Sequence, residues 1–597
     1  MLNGRLYRAA LLPVGLALAI AAFSLGSRPR PLTSTLAPDA FEGARAFADL
    51  QALAAQFPHR RPGSPGDEAL ATHVAHAIGA LGGAAGGGFS VRLHRFEGDT
   101  AGGERTLTTV VAQRPGATNL APIAVLAHRD ASGAGARAEL SATAALLELA
   151  RVFAARETQR TIVLVSSSGG SAGAAGAIDF AGRAHGAFDA AIVLGDVASA
   201  RQRQPVVVPY SDGLGAAPLQ LQRTVADAIR RETGSEPAAP SVLGQLAHLA
   251  FPLAVGEQGP LDQRSVPAVL MQASGERGPS AGQAVGAERL QSLGRAALSS
   301  IDALDRATDI STAKNTSVLV QRKTFPGWAL RLLVVALLLP ALIVVVDGLA
   351  RQRRRRLPVG RWLRWTLACA VPLLAVALFV RLLGVAGVIA APGAPVAPAG
   401  LGIGGAAVRA LTAAGLALAL AWLVWPALMR SLRLPMWPDP DVAGPAILLV
   451  LVAVCLVAAV TNPFAALLAL PAAHVWLALA SPQLRPRRVA GALTLLAIGL
   501  APVVLLAAFY AHELGLGPGR FAWMGVLLVS GGHIGLVELL LWSLAAGCAV
   551  GAGLLAASRP LPPAPGRPQG PERITIRGPL SYAGPGSLGG TESALRR

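Results

Sequence analysis

The sequence has few cysteines, few charged residues and few aromatic residues. Only three of its 597 residues are cysteines, and all three lie in apolar runs of the second half. The polar first half therefore has neither disulfides nor thiol chemistry. Charged residues make up 14% and aromatic residues 5%. Because no basic stripe is interleaved with aromatic residues, the class of single-strand nucleic-acid binders is excluded.

Long apolar runs are abundant instead, and hydrophobic residues make up 53% of the chain. Such a balance is typical of a membrane protein or of a membrane protein fused to a soluble domain. A run near the N-terminus, 9–25, is followed much later by seven runs long enough to cross a bilayer. These seven are about 328–350, 361–391, 403–429, 442–461, 464–481, 489–511 and 521–557. The sequence thus predicts about eight spans, with a bend or an additional piece in the last run near Gly531-Gly532.

The formal charge of +19 comes mostly from arginine, and arginine clusters follow every second predicted span. Basic residues favour the cytoplasmic side, so this pattern predicts a multi-pass protein of the cell membrane with both termini inside and residues 28–327 outside. Residues 1–8 are then cytoplasmic and 9–27 form a signal anchor, with a cleaved signal peptide as the alternative. Residues 558–597 are predicted to be a disordered basic tail. Membrane lipid is an expected partner, and nucleic acid is not.

Between a linker at 28–40 and the spans at 328–557, residues 41–310 carry the pattern of an α/β domain. A strand at 123–127 is followed by a helix at 141–153, a strand at 161–165 and a helix from about 172. This βαβ order predicts a three-layer domain with a mostly parallel sheet. Since ligands bind where parallel strands end, His128, Asp130 and Ser171 are candidate site residues.

The stretch resembles the zinc aminopeptidases of metallopeptidase family 28. The resemblance is carried by motifs in the family's order: Arg61-Pro62-Gly63-Ser64, His128-Arg129-Asp130, Ala144-Ala145-Leu146-Leu147-Glu148, Gly173-Ala174-Ala175-Gly176 and Val266-Pro267-Ala268-Val269. It implies a zinc-exopeptidase-like fold from about Phe41 to Ala303. In active members it also implies two zinc ions held by five side chains.

Several positions depart from that family pattern. Ala138 stands where an aspartate bridges the two metals, and Gly170 and Ser171 stand where two glutamates act as general base and ligand. The resemblance carries only His128 and Asp196 over as remnant ligands, with Asp130 beside the histidine. Two close cations need an anion between them. The departures therefore predict a domain that has lost its metal chemistry and has no cofactor.

Other interpretations of these residues remain open. Glu139 is a displaced ligand candidate, so a zinc aminopeptidase using His128, Glu139 and Asp196 is the first alternative. Asp196 could equally cap the segment that follows it. Ser171 lies in Gly-x-Ser-x-Gly, the nucleophile motif of serine hydrolases, although small residues are common throughout this chain.

Polar residues within the predicted spans supply a second alternative. Arg381, His533 and Glu538 are the notable ones, and intramembrane charge is functional by default, so a transporter with an accessory domain is possible. The order of anchor, degenerate peptidase-like domain and several spans also resembles the attachment subunit of the glycosylphosphatidylinositol transamidase in layout alone. The expected function is binding of a polypeptide or protein partner at the old cleft, without hydrolysis.

Overall fold

A computed structural model describes residues 4–558 except 83–87, 135, 185–187, 201–203, 322, 440–441, 482–483 and 487. Within these residues the strands are β1 Gly26–Ser27, β2 Ser90–Thr100, β3 Gly103–Arg114, β4 Ile123–His128, β5 Ile162–Ser167, β6 Ala190–Leu194, β7 Val206–Val208, β8 Ala268–Gln272, β9 Val318–Val320 and β10 Lys323–Phe325. The helices are α1 Gly4–Ala9, α2 Leu11–Phe23, α3 Gly43–Gln56, α4 Pro65–Gly79, α5 Arg137–Ala154, α6 Ala175–Ala184, α7 Leu219–Thr233, α8 Val242–Ala250, α9 Gln258–Gln263, α10 Ala287–Asp305, α11 Gly327–Arg354, α12 Val359–Val385, α13 Gly405–Ser431, α14 Ala443–Thr461, α15 Pro463–Ala480, α16 Val489–Glu513, α17 Pro518–Gly531 and α18 Leu536–Ala557. Nearly all of the predicted tail lies outside the described residues.

A seven-stranded sheet lies at the centre of the first half, in the order β2-β3-β5-β4-β6-β8-β7. The four inner strands β5, β4, β6 and β8 run parallel, as the βαβ pattern predicts. The outer pairings, β2 with β3, β3 with β5 and β7 with β8, are antiparallel. The α/β class with a parallel central sheet is therefore confirmed, and antiparallel strands at the edges make the whole sheet mixed.

Helices cover both faces of this sheet, which gives three layers. Alternate residues of β4 point to opposite faces, so Ile123, Val125 and Ala127 pack against α3, α5, α7 and α10. Ala124 and Leu126 pack on the other face against α6 and α9. Burial of the inner strands on both faces explains why they read as continuous apolar runs rather than as alternating ones.

Eight described helices are long and apolar enough to cross a membrane, the number that the sequence predicts. They are Gly4–Phe23, Gly327–Arg354, Val359–Val385, Gly405–Ser431, Ala443–Thr461, Pro463–Ala480, Val489–Glu513 and Leu536–Ala557. Several expose large apolar side chains, among them Leu423 at 76% and Val504 at 63%. Such continuous apolar exposure suits lipid rather than water. The helices therefore suggest a multi-pass membrane protein.

The last apolar run divides into two helices. α17 has 14 residues, too few to cross a bilayer, and ends at Gly532, whose φ of 81° is in the left-handed region. α18 follows and has spanning length. Another connection is a single residue, Asn462 between α14 and α15, whose side-chain oxygen accepts hydrogen bonds from the backbone N–H groups of Phe464 and Ala465.

The α/β domain contacts one end of the helical region. The side chain of Asn462 donates to the carbonyl oxygen of Leu249, 2.9 Å away, in α8. At the end of α16, the hydroxyl of Tyr510 donates to the carbonyl oxygen of Phe251 over 2.6 Å. The α12–α13 loop inserts Ala394, 1% exposed, into the core on the α6 face of the sheet. The strand ends of the domain and the loops of the helical region are thus neighbours.

Candidate functional site

The carboxyl ends of the four parallel strands form the candidate site. β4 ends at His128, β5 at Ser167, β6 at Leu194 and β8 at Gln272, so the loops after these strands meet at one edge of the sheet. A cavity of about 440 Å³ opens at this edge. A smaller pocket beside it, about 50 Å³, is lined by His128, Asp196 and Gly170 among others.

His128 forms an ion pair with Glu257, the residue before α9. Its Nδ1 lies 3.8 Å from Glu257 Oε2, and the Glu257 side chain is 2% exposed. The other carboxylate oxygen of Glu257 accepts a hydrogen bond of 2.5 Å from the hydroxyl of Ser167. Burial alone would lower the pKa of His128, but the carboxylates of Glu257 and Asp130 raise it to about 9. The protonated form of the imidazole is therefore favoured at neutral pH.

Asp130 is hydrogen-bonded to the loop that follows β5. Its carboxylate accepts hydrogen bonds from the backbone N–H groups of Gly170 and Ser171, both 3.0 Å, and from the hydroxyl of Ser171, 2.6 Å. The sequence places Asp130 beside His128 as its partner. The structure differs, because the oxygens of Asp130 are engaged by this loop and Glu257 takes the place beside the imidazole.

Gly170, the position of the family's general base, has no space for a side chain. A Cβ built on Gly170 would lie 2.5 Å from Cγ of His128 and 3.0 Å from its Nδ1. Atoms that close overlap, so a glutamate here would require His128 to move.

Ser171 has the strand–turn–helix surroundings of a nucleophile but lacks a basic partner. It is 3% exposed, and its hydroxyl donates to Asp130 while accepting from the hydroxyl of Ser132, 3.3 Å away. Within the described residues no histidine nitrogen is hydrogen-bonded to it. Deprotonation of the hydroxyl therefore has no base of the kind that serine hydrolases use.

Glu139 is a buried carboxylate with an unsatisfied oxygen. It lies in the first turn of α5, is 7% exposed, and its Oε2 has no hydrogen-bond partner within the described part of the chain. Burial raises the pKa of Glu139 to about 7, although the charge of His128 opposes that rise. Glu139 lines both the cavity and the smaller pocket. A donor group of a ligand would satisfy its free oxygen.

Asp196 caps the segment after β6, which is the second of the two roles left open by the sequence. One carboxylate oxygen accepts from the backbone N–H groups of Ala198, 3.0 Å, and Ser199, 2.9 Å, and the other accepts from the hydroxyl of Ser199. This is an Asx turn, in which the side chain substitutes for a backbone acceptor. Burial raises the pKa of Asp196 above its ordinary value.

The residues at the strand ends do not fit a two-zinc centre. In the described parts of the chain no group of three or more His, Cys, Asp or Glu side chains is close enough to hold a metal ion. Ala138, at the bridging position, is 1% exposed and packed in the core. His128 is paired with Glu257, and the oxygens of Asp196 accept hydrogen bonds from backbone N–H groups and from a hydroxyl, so both side chains have protein partners.

The cavity has an unpaired cation as well as an unsatisfied carboxylate. Arg277, in the loop after β8, lines both the cavity and the smaller pocket, and the described residues give its guanidinium no hydrogen bond or ion pair. Around it are hydroxyl and amide side chains: Ser132, Ser199, Ser274, Ser280 and Gln283. Such a lining can bind both ends of a zwitterionic or peptide-like ligand.

The three polar residues expected inside the membrane lie near helix ends. Arg381 is in the last turns of α12 and donates to the carbonyl oxygen of Ser530 over 2.8 Å. His533 is between α17 and α18, and its Nε2 lies 3.0 Å from the carbonyl oxygen of Pro392. Glu538 is exposed in the first turn of α18 and accepts from the backbone N–H of Gly535. Because the glycine-rich break places the start of α18 at Leu536, Glu538 lies at a helix end rather than in the middle of a long span.

Comparison with known proteins relates part of the chain to peptidases. The profile of Peptidase family M28 matches residues 109–246, which include β4, α5, β5 and β6. A search of curated proteins finds no match.

Solved structures of glutaminyl cyclases and aminopeptidases are similar to part of the chain at low sequence identity. A glutaminyl cyclase from an Acidobacteriales bacterium is 17% identical, with a TM-score of 0.34 over 47% of this chain and 99% of that one. BSAP, a zinc aminopeptidase from Bacillus subtilis, is 10% identical, with a TM-score of 0.36 over 46% and 98%. LapB from Legionella pneumophila is 14% identical, with a TM-score of 0.37 over 49% and 81%. None of these values extends the activity of those proteins to this chain.

Two residues of the site are not found by sequence reasoning alone. Glu257 stands in a segment that matches the family poorly, and only the fold brings it to His128. Arg277 lies in the loop after β8 and belongs to none of the motifs that resemble the peptidase family. A charged residue just after a buried strand was the available signal for Arg277, while nothing local marks Glu257 as the partner of a strand end.

Proposed function

We propose that this chain is an integral membrane protein whose peptidase-like domain binds polypeptide at the strand-end cleft without hydrolysing it. The contact of Gly170 with the His128 ring carries the proposal, because it fills the space that a general base needs. The ion pair of His128 with Glu257 supports it, because a buried carboxylate faces the imidazole nitrogen. Scaffold and cleft remain while the means of activating water are missing.

The cleft suits the amino end of a polypeptide. Glu139 offers an unsatisfied carboxylate oxygen for the terminal ammonium group, and Arg277 offers an unpaired guanidinium for a backbone carbonyl oxygen or an acidic side chain. Serine and glutamine side chains of the wall can bind further peptide groups. The buried oxygen of Glu139 is more costly without a hydrogen-bond donor than with one, which favours binding.

The proposed arrangement in the membrane has both termini in the cytoplasm and residues 28–327 outside. Its support is the arginine after α11, after α13 and around the start of α16, at the helix ends assigned to the cytoplasm. The helix ends that contact the α/β domain are assigned to the other side. Membrane lipid is then the surroundings of the eight spans.

The test is binding of a short fluorescent peptide with a free amino end to the full-length protein in detergent, followed by anisotropy. We expect Glu139→Gln to weaken binding by about tenfold or more, because a buried charge pair is lost. Acetylation of the amino end of the peptide should weaken binding to a similar extent. Glu104→Gln, at an exposed carboxylate near the start of β3, is the matched control and should bind like the wild type. Equal binding by all variants would contradict the proposal.

A zinc aminopeptidase using His128, Glu139 and Asp196 is the alternative. Metal analysis of the purified protein with an assay on aminoacyl substrates separates the two. About two zinc ions per chain with release of amino acids would establish the enzyme, and intact peptide recovered from the cleft supports binding alone. The transporter alternative draws no support from Arg381, His533 and Glu538, which lie near helix ends. The layout resemblance to the transamidase subunit carries no transamidase role.

A further inference from the structure

The helical region supplies one wall of the cavity at the strand ends. Pro398 and Ala399 come from the loop between α12 and α13, residues 386–404, and Leu514 and Gly515 from the loop between α16 and α17, residues 514–517. We call these two segments the roof loops. The α/β domain supplies the opposite wall, including Glu139 and Arg277. The binding site is therefore composite, and part of it lies outside the peptidase-like domain.

Close packing fixes the first roof loop to the domain. A Cβ on Gly173 would lie 2.8 Å from Cβ of Pro392, and one on Gly393 would lie 2.8 Å from Cδ1 of Ile178. Gly400 approaches the carbonyl oxygen of Ser171 so closely that any side chain on Gly400 would collide with it. Glycine on both sides thus permits backbone contact, and the loop lies directly over the turn after β5.

Arg520 of α17 connects the first roof loop to the helical region. Its Nε donates to the carbonyl oxygen of Leu401 over 3.1 Å, and its Nη2 donates to that of Pro398. The side chain itself also lines the cavity. Arg520 is therefore a positioning residue, which holds the roof loop at the height where a ligand would pass beneath it.

The position of the second roof loop places the cavity at the membrane surface. α16 is a candidate span that ends at Glu513, and Leu514 and Gly515, the next two residues, line the cavity. The polar headgroup layer is only roughly 5–7 Å deep on each side of the hydrocarbon core. Residues directly after a span therefore lie within or just above that layer, and the cavity that they line lies at the same level.

We infer that the occupant of this cleft is the amino-terminal segment of a polypeptide attached to the same membrane, which enters sideways between the roof loops and the α/β domain. The inference rests on the proposed function for the kind of ligand and on the roof loops for its route. A ligand held at the headgroup layer meets the opening directly. Glu139 on the domain wall then binds the terminal ammonium group, and Arg277 binds a backbone carbonyl oxygen or an acidic side chain. The roof loops cover the chain behind these groups.

The experiment uses the full-length protein in phosphatidylcholine vesicles and one peptide, with a free amino end and a lipid anchor at its other end. The linker between peptide and anchor is either short or long. A photoreactive phenylalanine analogue is placed at Ala399 in the roof, at Ser280 in the domain wall, or at Ser292, which lines a separate cavity. We expect cross-links at Ala399 and Ser280 but not at Ser292, and equal affinity for both linkers.

Roof variants give a second readout. Arg520→Ala should weaken binding by about tenfold, the loss of one well-placed contact, and Arg520→Lys should restore part of it. Arg409→Ala, at an exposed arginine near the start of α13 and away from the cavity lining, is the control and should leave binding unchanged.

The outcomes separate the inference from the proposed function. Cross-linking at Ser280 alone, or binding that requires the long linker, overturns the sideways route and leaves peptide binding intact. Absence of binding by either peptide, together with identical behaviour of Glu139→Gln and wild type, overturns the proposed function as well. Competition by phosphatidylethanolamine vesicles that carry no peptide would identify a lipid headgroup as the occupant and overturn the polypeptide.

Discussion

Replacement of Glu257 by glutamine tests the ion pair at the centre of the site. His128 has a pKa of about 9 in place of its ordinary 6.5, which corresponds to about 3 kcal/mol of free energy of unfolding. Because the pKa is higher in the folded state, this stabilisation is complete below pH 6.5 and is lost as the pH rises through 9. Glutamine keeps an oxygen for the Ser167 hydroxyl but removes the charge. We expect Glu257→Gln to be less stable by up to about 3 kcal/mol at pH 6 and equal to the wild type above pH 9.

Urea midpoints from pulse proteolysis of the α/β domain at several pH values provide the measurement, since tryptophan fluorescence would report on the helical region instead. The difference between variant and wild type is the relevant quantity. Glu139, whose pKa is raised to about 7, also makes the domain less stable as the pH rises from about 4.5 to 7, and this effect is common to both proteins. Glu104→Gln is the control. A difference that stays constant from pH 6.5 to 9 would refute the ion-pair reasoning.

Two further predictions concern stability. Gly170→Ala should destabilise the domain by about 1–3 kcal/mol because its Cβ overlaps His128, whereas Gly182→Ala, with no heavy atom within 4 Å of the added Cβ, should be neutral or slightly stabilising; urea midpoints of the two variants compare them, and equal midpoints would remove the steric argument. Asp67→Ala should cost about 3–5 kcal/mol, since it leaves Arg129, 2.8 Å away and buried, without its charge partner; a loss below about 1 kcal/mol in the same assay would contradict this.

Hydrophobic pattern was sufficient for most elements of the fold. The predicted strand 123–127 and helix 141–153 lie within β4 and α5, because a short run buried on both faces and a recurring helical apolar period are strong local signals. The antiparallel outer strands were less accessible. Register and neighbour are decided by contacts between distant segments, and alternation within β2 and β3 predicts a pair but not its attachment to β5.

Hydropathy predicted a longer membrane span than the structure shows where an apolar stretch continues beyond the end of a helix. The run 361–391 predicts a span to its last residue, but α12 ends at Val385 and the first roof loop begins there. Gly387, with φ of 69°, and Pro392 stop the helix, while the apolar residues beyond them are buried against the α/β domain. Burial by protein and burial by lipid select the same residue types, so hydropathy could not separate them.

His128 and Asp130 have structural roles that are independent of zinc. Asp130 satisfies two buried backbone N–H groups of the loop after β5, and its replacement by alanine would leave both without an acceptor at a cost of about 1–3 kcal/mol each. The positive ring of His128 in turn offsets two buried carboxylates, Glu257 and Asp130. Removal of Asp130 leaves buried N–H groups without an acceptor, and removal of His128 leaves buried carboxylates without a positive charge beside them. Both residues therefore contribute to the stability of the floor of the cleft, independently of any metal ion.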